Sequence, residues 1–199
     1  MGAAVTSPSV EAIADAAAAL RRGEIVAYPT ETYYGLAVDA LDPAALARLF
    51  ALKGRGEHKA SALLVADFAM FADLCAEVPP QAKTLAARHW PGPLTLALPA
   101  RPGLPAAIVT EGCVAARISS HPVAQALVAA AGRPITATSA NPAGLPPVCR
   151  PDELRALFPD GGFHLLDGGA TPGGLPSTLV RLRAGTLEVL RQGAIVVAK

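Results

Sequence analysis

Charge is scarce in this 199-residue chain. Only 17% of its residues are Asp, Glu, Lys or Arg, and seventeen basic against sixteen acidic side chains leave a formal charge of +1. No net field therefore draws the chain to DNA, RNA or an acidic membrane, and any weak contact with RNA has to rest on a local patch. Aromatic residues are equally few, one tryptophan, three tyrosines and five phenylalanines, which argues against a broad base-stacking surface. The three cysteines, Cys75, Cys113 and Cys149, are odd in number and far apart, so they make neither a disulfide framework nor a Cys-x-x-Cys zinc pair. A reducing cytoplasm is the expected compartment. The histidines show no His-x-x-x-His spacing, and no metal site of the protein's own is expected. No basic segment followed by an apolar stretch opens the chain, and no uncharged run is long enough to span a bilayer, so neither a signal peptide nor a membrane partner is expected.

Familiar nucleotide and hydrolase motifs are missing as well. Gly169 and Gly174 have P-loop spacing, but Leu175 and Pro176 stand where a lysine and a hydroxyl residue must bind phosphate and magnesium. No Gly-x-Gly-x-x-Gly follows a strand and no Gly-x-Ser-x-Gly elbow occurs, so dinucleotide binding and α/β-hydrolase chemistry lose support. Any active site has to be dispersed along the chain.

What is present is a large apolar fraction, 52% of all residues, enough to bury a sizeable core in one domain spanning residues 1–199. Ser9 reads as the cap of a helix ending at Gly23, and Ile25 to Tyr28 as a short strand. Asp42 and Pro43 start a second helix that carries Lys53 in its last turn, displayed where the chain leaves the helix. Further helices are predicted after Asp67, from Pro80 to Trp90, from Pro122 to Ala131 and from Asp152 to Phe158. Strands are predicted at Ala62–Val65, Leu94–Leu98, Val114–Ile118, Pro134–Thr138 and Phe163–Asp167, with a closing hairpin of Ser177–Arg183 and Thr186–Leu190. The mixture predicts an α/β (α+β) protein built on a twisted mixed sheet flanked by helices. The glycine-rich stretch from Gly168 to Gly174 is the candidate for a lid or flexible linker.

Five segments place hydroxyl, amide or cationic side chains directly beside apolar runs: Pro29–Thr32, Lys53–Arg55, Val114–Arg117, Ser139–Asn141 and Leu190–Gly193. Donors held at the ends of buried elements suit a phosphate or carboxylate ligand. Taken singly, Lys53 and Arg55 are explained as simply by a solvated helix end, where cations complement the dipole. Ser139-Ala140-Asn141-Pro142 is likewise explained by a turn. Arg117 is different, since a cation ending an apolar strand needs a partner.

Compared together, the segments resemble the YrdC/TsaC family of threonylcarbamoyl-AMP synthases. The matching pieces are Pro29-Thr30-Glu31-Thr32-Tyr33-Tyr34-Gly35-Leu36, Lys53-Gly54-Arg55, Trp90-Pro91-Gly92-Pro93-Leu94-Thr95-Leu96 and Val114-Ala115-Ala116-Arg117. His121-Pro122, Ser139-Ala140-Asn141-Pro142-Ala143-Gly144, Ser177-Thr178 and Leu190-Arg191-Gln192-Gly193 continue the series in register. The length is similar to that of the short, single-domain form. The resemblance implies a YrdC-like fold with a concave anion-binding site. It also implies synthesis of threonylcarbamoyl-AMP and pyrophosphate from L-threonine, bicarbonate or carbon dioxide, and ATP. The product would pass to a separate tRNA threonylcarbamoyl transferase.

By the same resemblance, Lys53, Arg55, Ser139, Asn141 and Arg191 would hold ATP, and Thr30, Arg117 and Ser177 would hold threonine. A planar guanidinium at Arg117 suits the amino-acid carboxylate. No nucleophilic side chain is required, because threonine's own amine captures carbon dioxide and the carbamate attacks the α-phosphate. Magnesium is expected through the ATP phosphates. Glu31 is read either as an aid to a proton or metal step or as a surface loop residue. The chain departs from the family pattern at Gly56, at Lys59-Ala60-Ser61, at Ala66 and at Pro146-Pro147-Val148, which bears on substrate identity more than on fold. The alternatives are a carbamoyl-adenylate-forming relative and a non-catalytic RNA-binding module.

Overall fold

The structure is a computed structural model that describes residues 8–54 and 60–197. Arg55, Gly56 and Lys59 lie outside the described residues. Ser9 caps α1 (Val10–Arg21), its hydroxyl accepting from the Ala12 N–H at 3.2 Å. The chain reverses at Gly23, enters β1 (Val26–Tyr28) and returns as β2 (Gly35–Ala37). Asp42 then accepts from the N–H groups of Ala44 and Ala45 to start α2 (Pro43–Lys53), which ends on left-handed Gly54. The next elements are β3 (Leu63–Leu64), α3 (Phe68–Ala72), α4 (Pro80–His89) and β4 (Leu94–Pro99). A 3₁₀ turn at Ala106–Ile108 leads into β5 (Val109–Thr110) and β6 (Cys113–Arg117). They are joined by Glu111 and Gly112, both at positive φ as a two-residue hairpin turn of this hand requires. After α5 (Pro122–Ala131) come β7 (Ile135–Thr136), β8 (Thr138–Ser139), α6 (Pro151–Leu157) and β9 (His164–Leu165). The hairpin of β10 (Thr178–Arg183) and β11 (Thr186–Arg191) follows.

The expected single mixed sheet is in fact two. The larger runs β11-β10-β4-β6-β3-β7 with β5 added on β6, and the smaller runs β8-β2-β1-β9. Both are mixed: β4 pairs β10 in parallel and β6 antiparallel, while β1 pairs β9 in parallel and β2 antiparallel. The predicted strand Pro134–Thr138 is divided between the sheets. Ile135 and Thr136 pair with β3, Thr138 and Ser139 pair with β2, and the crossing is held by the Ala137 N–H donating to Ala62 at 2.7 Å.

Alternation along the long strands separates core from site. Leu94, Leu96 and Leu98 of β4, Val114 and Ala116 of β6, and Val180 and Leu182 of β10 are buried in the main core. Each such leucine contributes roughly 1.5–3 kcal/mol relative to exposure. A second core lies between α1, α5 and the smaller sheet, where Ala16, Ala17, Ala19 and Ala124 let the two helices approach closely around Leu20, Tyr28 and Leu127. The residues of opposite parity in β4, β6 and β10 include Thr95, Ala97, Cys113, Ala115, Arg117, Leu179 and Arg181. They form the other face of the sheet, and the site lies there.

The glycine-rich stretch is fastened rather than free. The Tyr34 hydroxyl donates to Gly169 at 2.7 Å and accepts from the Gly168 N–H, while Tyr33 donates to Gly174 at 2.9 Å. The Thr171 N–H reaches Cys149 and the Gly173 N–H reaches Thr32. The expectation of a linker is corrected accordingly.

Candidate functional site

Register builds the site in rows across the larger sheet. Ala97 of β4 stands beside Ala115 of β6 on one side and Arg181 of β10 on the other, and Arg181 stands beside Glu188 of β11. Alanines at the two central strands leave a hollow where larger side chains would fill the sheet. It measures about 540 Å³ and is walled by Ser61, Cys113, Ser139, Leu190 and Arg191. Two residues further along β6, about 7 Å away, Arg117 reaches a second hollow of about 330 Å³ that also meets Tyr28, Thr30, Thr32, Pro147 and Ser177. The two hollows share Ala137, Thr138, Ser139 and Arg191.

Of the residues singled out in the sequence, Ser139 and Arg191 therefore sit at the junction, and Thr30, Arg117 and Ser177 line the smaller hollow. The Thr30 hydroxyl donates to the Tyr33 carbonyl at 2.7 Å and accepts from the Thr32 N–H at 3.2 Å, which folds the Pro29–Thr32 segment into a tight turn. Ser177 shares a 2.7 Å hydrogen bond with Thr95. Arg191 donates through Nε and Nη2 to the Ser177 carbonyl at 3.2 and 2.9 Å, which aims the guanidinium along the junction. Burial lowers the Arg191 pKa below its ordinary value.

Lys53 and Asn141 line neither hollow and work behind the wall. Lys53 is only 3% exposed, so the solvated, displayed helix end expected from sequence is corrected. Its ammonium donates to the carbonyls of Ser139 and Asn141, the second at 2.6 Å. The Asn141 amide donates to the carbonyls of Pro142 and Leu145, and its Oδ1 is buried without a partner. Together the two side chains clamp the Ser139–Leu145 loop from inside, and the clamp sets where the Ser139 hydroxyl stands.

Arg117 has the partner that its position demanded. Its Nη1 donates to Glu31, whose other carboxylate oxygen accepts from the Ser119 hydroxyl. The side chains of Arg117 and Glu31 are 10% and 16% exposed, so Glu31 is no surface loop residue. Burial is the main influence lowering the Arg117 pKa, and Tyr28, whose own pKa is raised by burial, acts in the opposite direction on it. Glu31 engages Nη1 of the guanidinium, and Arg117 also lines the smaller hollow. A planar cation held in that place suits a carboxylate or phosphate.

Sequence reasoning missed the Arg181 cluster at the far end of the larger hollow. Arg181 Nε and Nη2 donate to Glu188 at 3.1 and 2.6 Å, and Nη1 donates to Glu111. Alternation in β10 was the available signal, since it puts Arg181 on the same face as Leu179.

The Sua5/YciO/YrdC family model, described as telomere recombination, matches residues 18–193. Threonylcarbamoyl-AMP synthase of Bacillus subtilis is 39% identical over 185 residues, covering 92% of this chain and 54% of that protein. The threonylcarbamoyl-AMP synthase of Chromohalobacter salexigens is 40% identical over 188 residues, covering 92% of this chain and 98% of that protein. Among solved structures, P. abyssi Sua5 complexed with L-threonine superposes with a TM-score of 0.88 at 37% identity, over 93% of this chain and 55% of that one. E. coli YciO superposes with a TM-score of 0.82 at 26% identity, over 94% of this chain and 91% of that one. The chain thus spans about half the length of the B. subtilis and P. abyssi proteins and nearly the whole of the C. salexigens one.

Proposed function

This chain belongs to the Sua5/YciO/YrdC family, and from that premise we propose that it is a threonylcarbamoyl-AMP synthase acting on L-threonine, bicarbonate or carbon dioxide, and ATP. The observation that carries the reading is the pair of hollows meeting at Ser139 and Arg191. The smaller has the size and the cation of an amino-acid site, and the larger has room for a nucleotide. Relatives named for this activity and a neighbour complexed with L-threonine support it.

In this reading Arg117 holds the threonine carboxylate, and Thr30 and Ser177 bound the rest of the amino acid. The amine adds to carbon dioxide and gives up a proton. A carbamate oxygen then attacks the α-phosphorus, and the bond to the β-phosphate oxygen breaks to release pyrophosphate. Ser139 and Arg191 stand where charge grows on the phosphates, and a cation already in place stabilises that charge without reorganisation. Hydroxyls and cations at the junction suit phosphate oxygens. In this reading magnesium would bind through the triphosphate oxygens, where it would offset phosphate charge. The downstream partner is a transferase that places the threonylcarbamoyl group on tRNA.

The test is pyrophosphate release from ATP in the presence of magnesium and bicarbonate. Release that depends on L-threonine supports the synthase. Release that persists with carbamoyl phosphate in place of threonine favours a carbamoyl-adenylate-forming enzyme, and salt-sensitive RNA binding without turnover favours a binding module.

A further inference from the structure

The larger hollow has two unlike ends. One is the junction at Ser139 and Arg191; the other is floored by Ala97, Ala115 and Leu179 and closed by Arg181. Arg181 is unusual in how completely its edge is used. Nε and Nη2 both donate to Glu188, Nη1 donates to Glu111, and the side chain is 20% exposed. Glu111 delivers its carboxylate from a turn position at φ 51°, and Glu188 stands directly opposite Arg181 in the β10–β11 register. A guanidinium whose edge nitrogens are all engaged by carboxylates has little donor capacity left for a phosphate, and two carboxylates beside it repel one. What such a group offers a cavity is its flat, cationic face, which stacks on aromatic rings.

We propose that Arg181, held by Glu111 and Glu188, is a stacking platform for the nucleobase, so that the base lies over β10 and the phosphates point to Ser139 and Arg191. This rests on the reading of the larger hollow as a nucleotide site. The apolar floor beside Arg181 fits the same occupant, since a purine presents two apolar faces and hydrogen-bonds only at its rim. A bare polyphosphate has no group for this end, and the platform therefore separates nucleotide affinity from phosphate affinity.

Calorimetric titration of the full chain with ATP and with inorganic tripolyphosphate, both with magnesium, tests the idea in wild type, Arg181→Ala and Arg181→Lys. Lysine keeps a cation between Glu111 and Glu188 but has no plane, so it guards against a fold lost through two unpaired carboxylates. The platform predicts that both variants lose roughly tenfold in ATP affinity while tripolyphosphate affinity stays unchanged. An equal loss for both ligands, or wild-type ATP affinity in Arg181→Lys, would show that Arg181 acts only as a charge and overturn the platform. Wild type that fails to bind ATP would overturn the nucleotide reading itself and the platform with it.

Discussion

Glu31 and Arg117 are locked together beside the smaller hollow, with the carboxylate bridging from the guanidinium to the Ser119 hydroxyl. Ser119 in turn accepts from the His121 N–H at 3.2 Å, so the turn after β1, the end of β6 and the start of α5 share one polar chain. Its members come from segments up to 90 residues apart in sequence, roughly, and no local pattern announces the contact.

Removing the charge on Glu31 is expected to loosen the receptor. With the pair nearly buried, Glu31→Gln should lower stability by about 1–3 kcal/mol, because a buried guanidinium loses its counter-charge. Urea denaturation reads that change. The apparent KM for threonine should rise with little change in the KM for ATP.

Arg117→Ala is expected to weaken threonine binding far more than ATP binding, by about 2 kcal/mol or more for a lost charge-assisted contact. Calorimetry with each ligand alone checks this. Equal losses would remove the carboxylate assignment.

Lys53→Met tests the clamp. The methionine stem fills the space but cannot donate to Ser139 or Asn141, so stability should fall by about 2 kcal/mol for the two carbonyls left without their cation. Turnover should fall further than threonine affinity, since the displaced group is the Ser139 loop rather than the Arg117 receptor.

Ala115→Leu is a filling test. The residue lies on the cavity face of β6, opposite Ala97 of β4, so a larger side chain should leave the leucine core intact and exclude the nucleotide. ATP affinity is expected to fall at least tenfold, with the unfolding free energy within about 0.5 kcal/mol of wild type, as for a substitution outside the core.

His121 gives a pH signature. Burial lowers its pKa below the ordinary 6.5, and its Nδ1 caps α5 by accepting from the Val123 N–H at 3.3 Å. The unfolded chain then takes up a proton at higher pH than the folded one. The stability held by the neutral ring is complete above about pH 6.5 and is lost as the pH falls below it towards the folded value. His121→Asn, which caps without titrating, should flatten that limb when urea midpoints are compared at about pH 7.5 and pH 5.5.

Helices and long strands were legible because periodicity and punctuation agree. Ser9, Asp42 and Asp67 cap as their positions predict, and α5 runs from Pro122 to Ala131 as read. The second sheet was not legible, since Gly35–Ala37 is buried throughout and shows no alternation, and β8 looks like the tail of β7. The motifs marked the right neighbourhood without dividing its labour. Lys53 and Ser139 read alike as ligand donors, whereas one supports the other from inside. That difference is created by the direction from which α2 arrives, a tertiary fact with no signature in Lys-Gly-Arg.

The chain's crossing at Ala137 has a mechanical corollary. Thr30 and Ser139 hang from the smaller sheet, while Arg117, Ser177 and Arg191 hang from the larger, so both reactants would straddle a seam. Their mutual alignment is then governed by how Leu64 and Ile135 of the larger sheet pack with Val26 and Ala37 of the smaller one in the second core, and a slip of a fraction of an ångström among those aliphatic side chains would detune the reaction from well outside it.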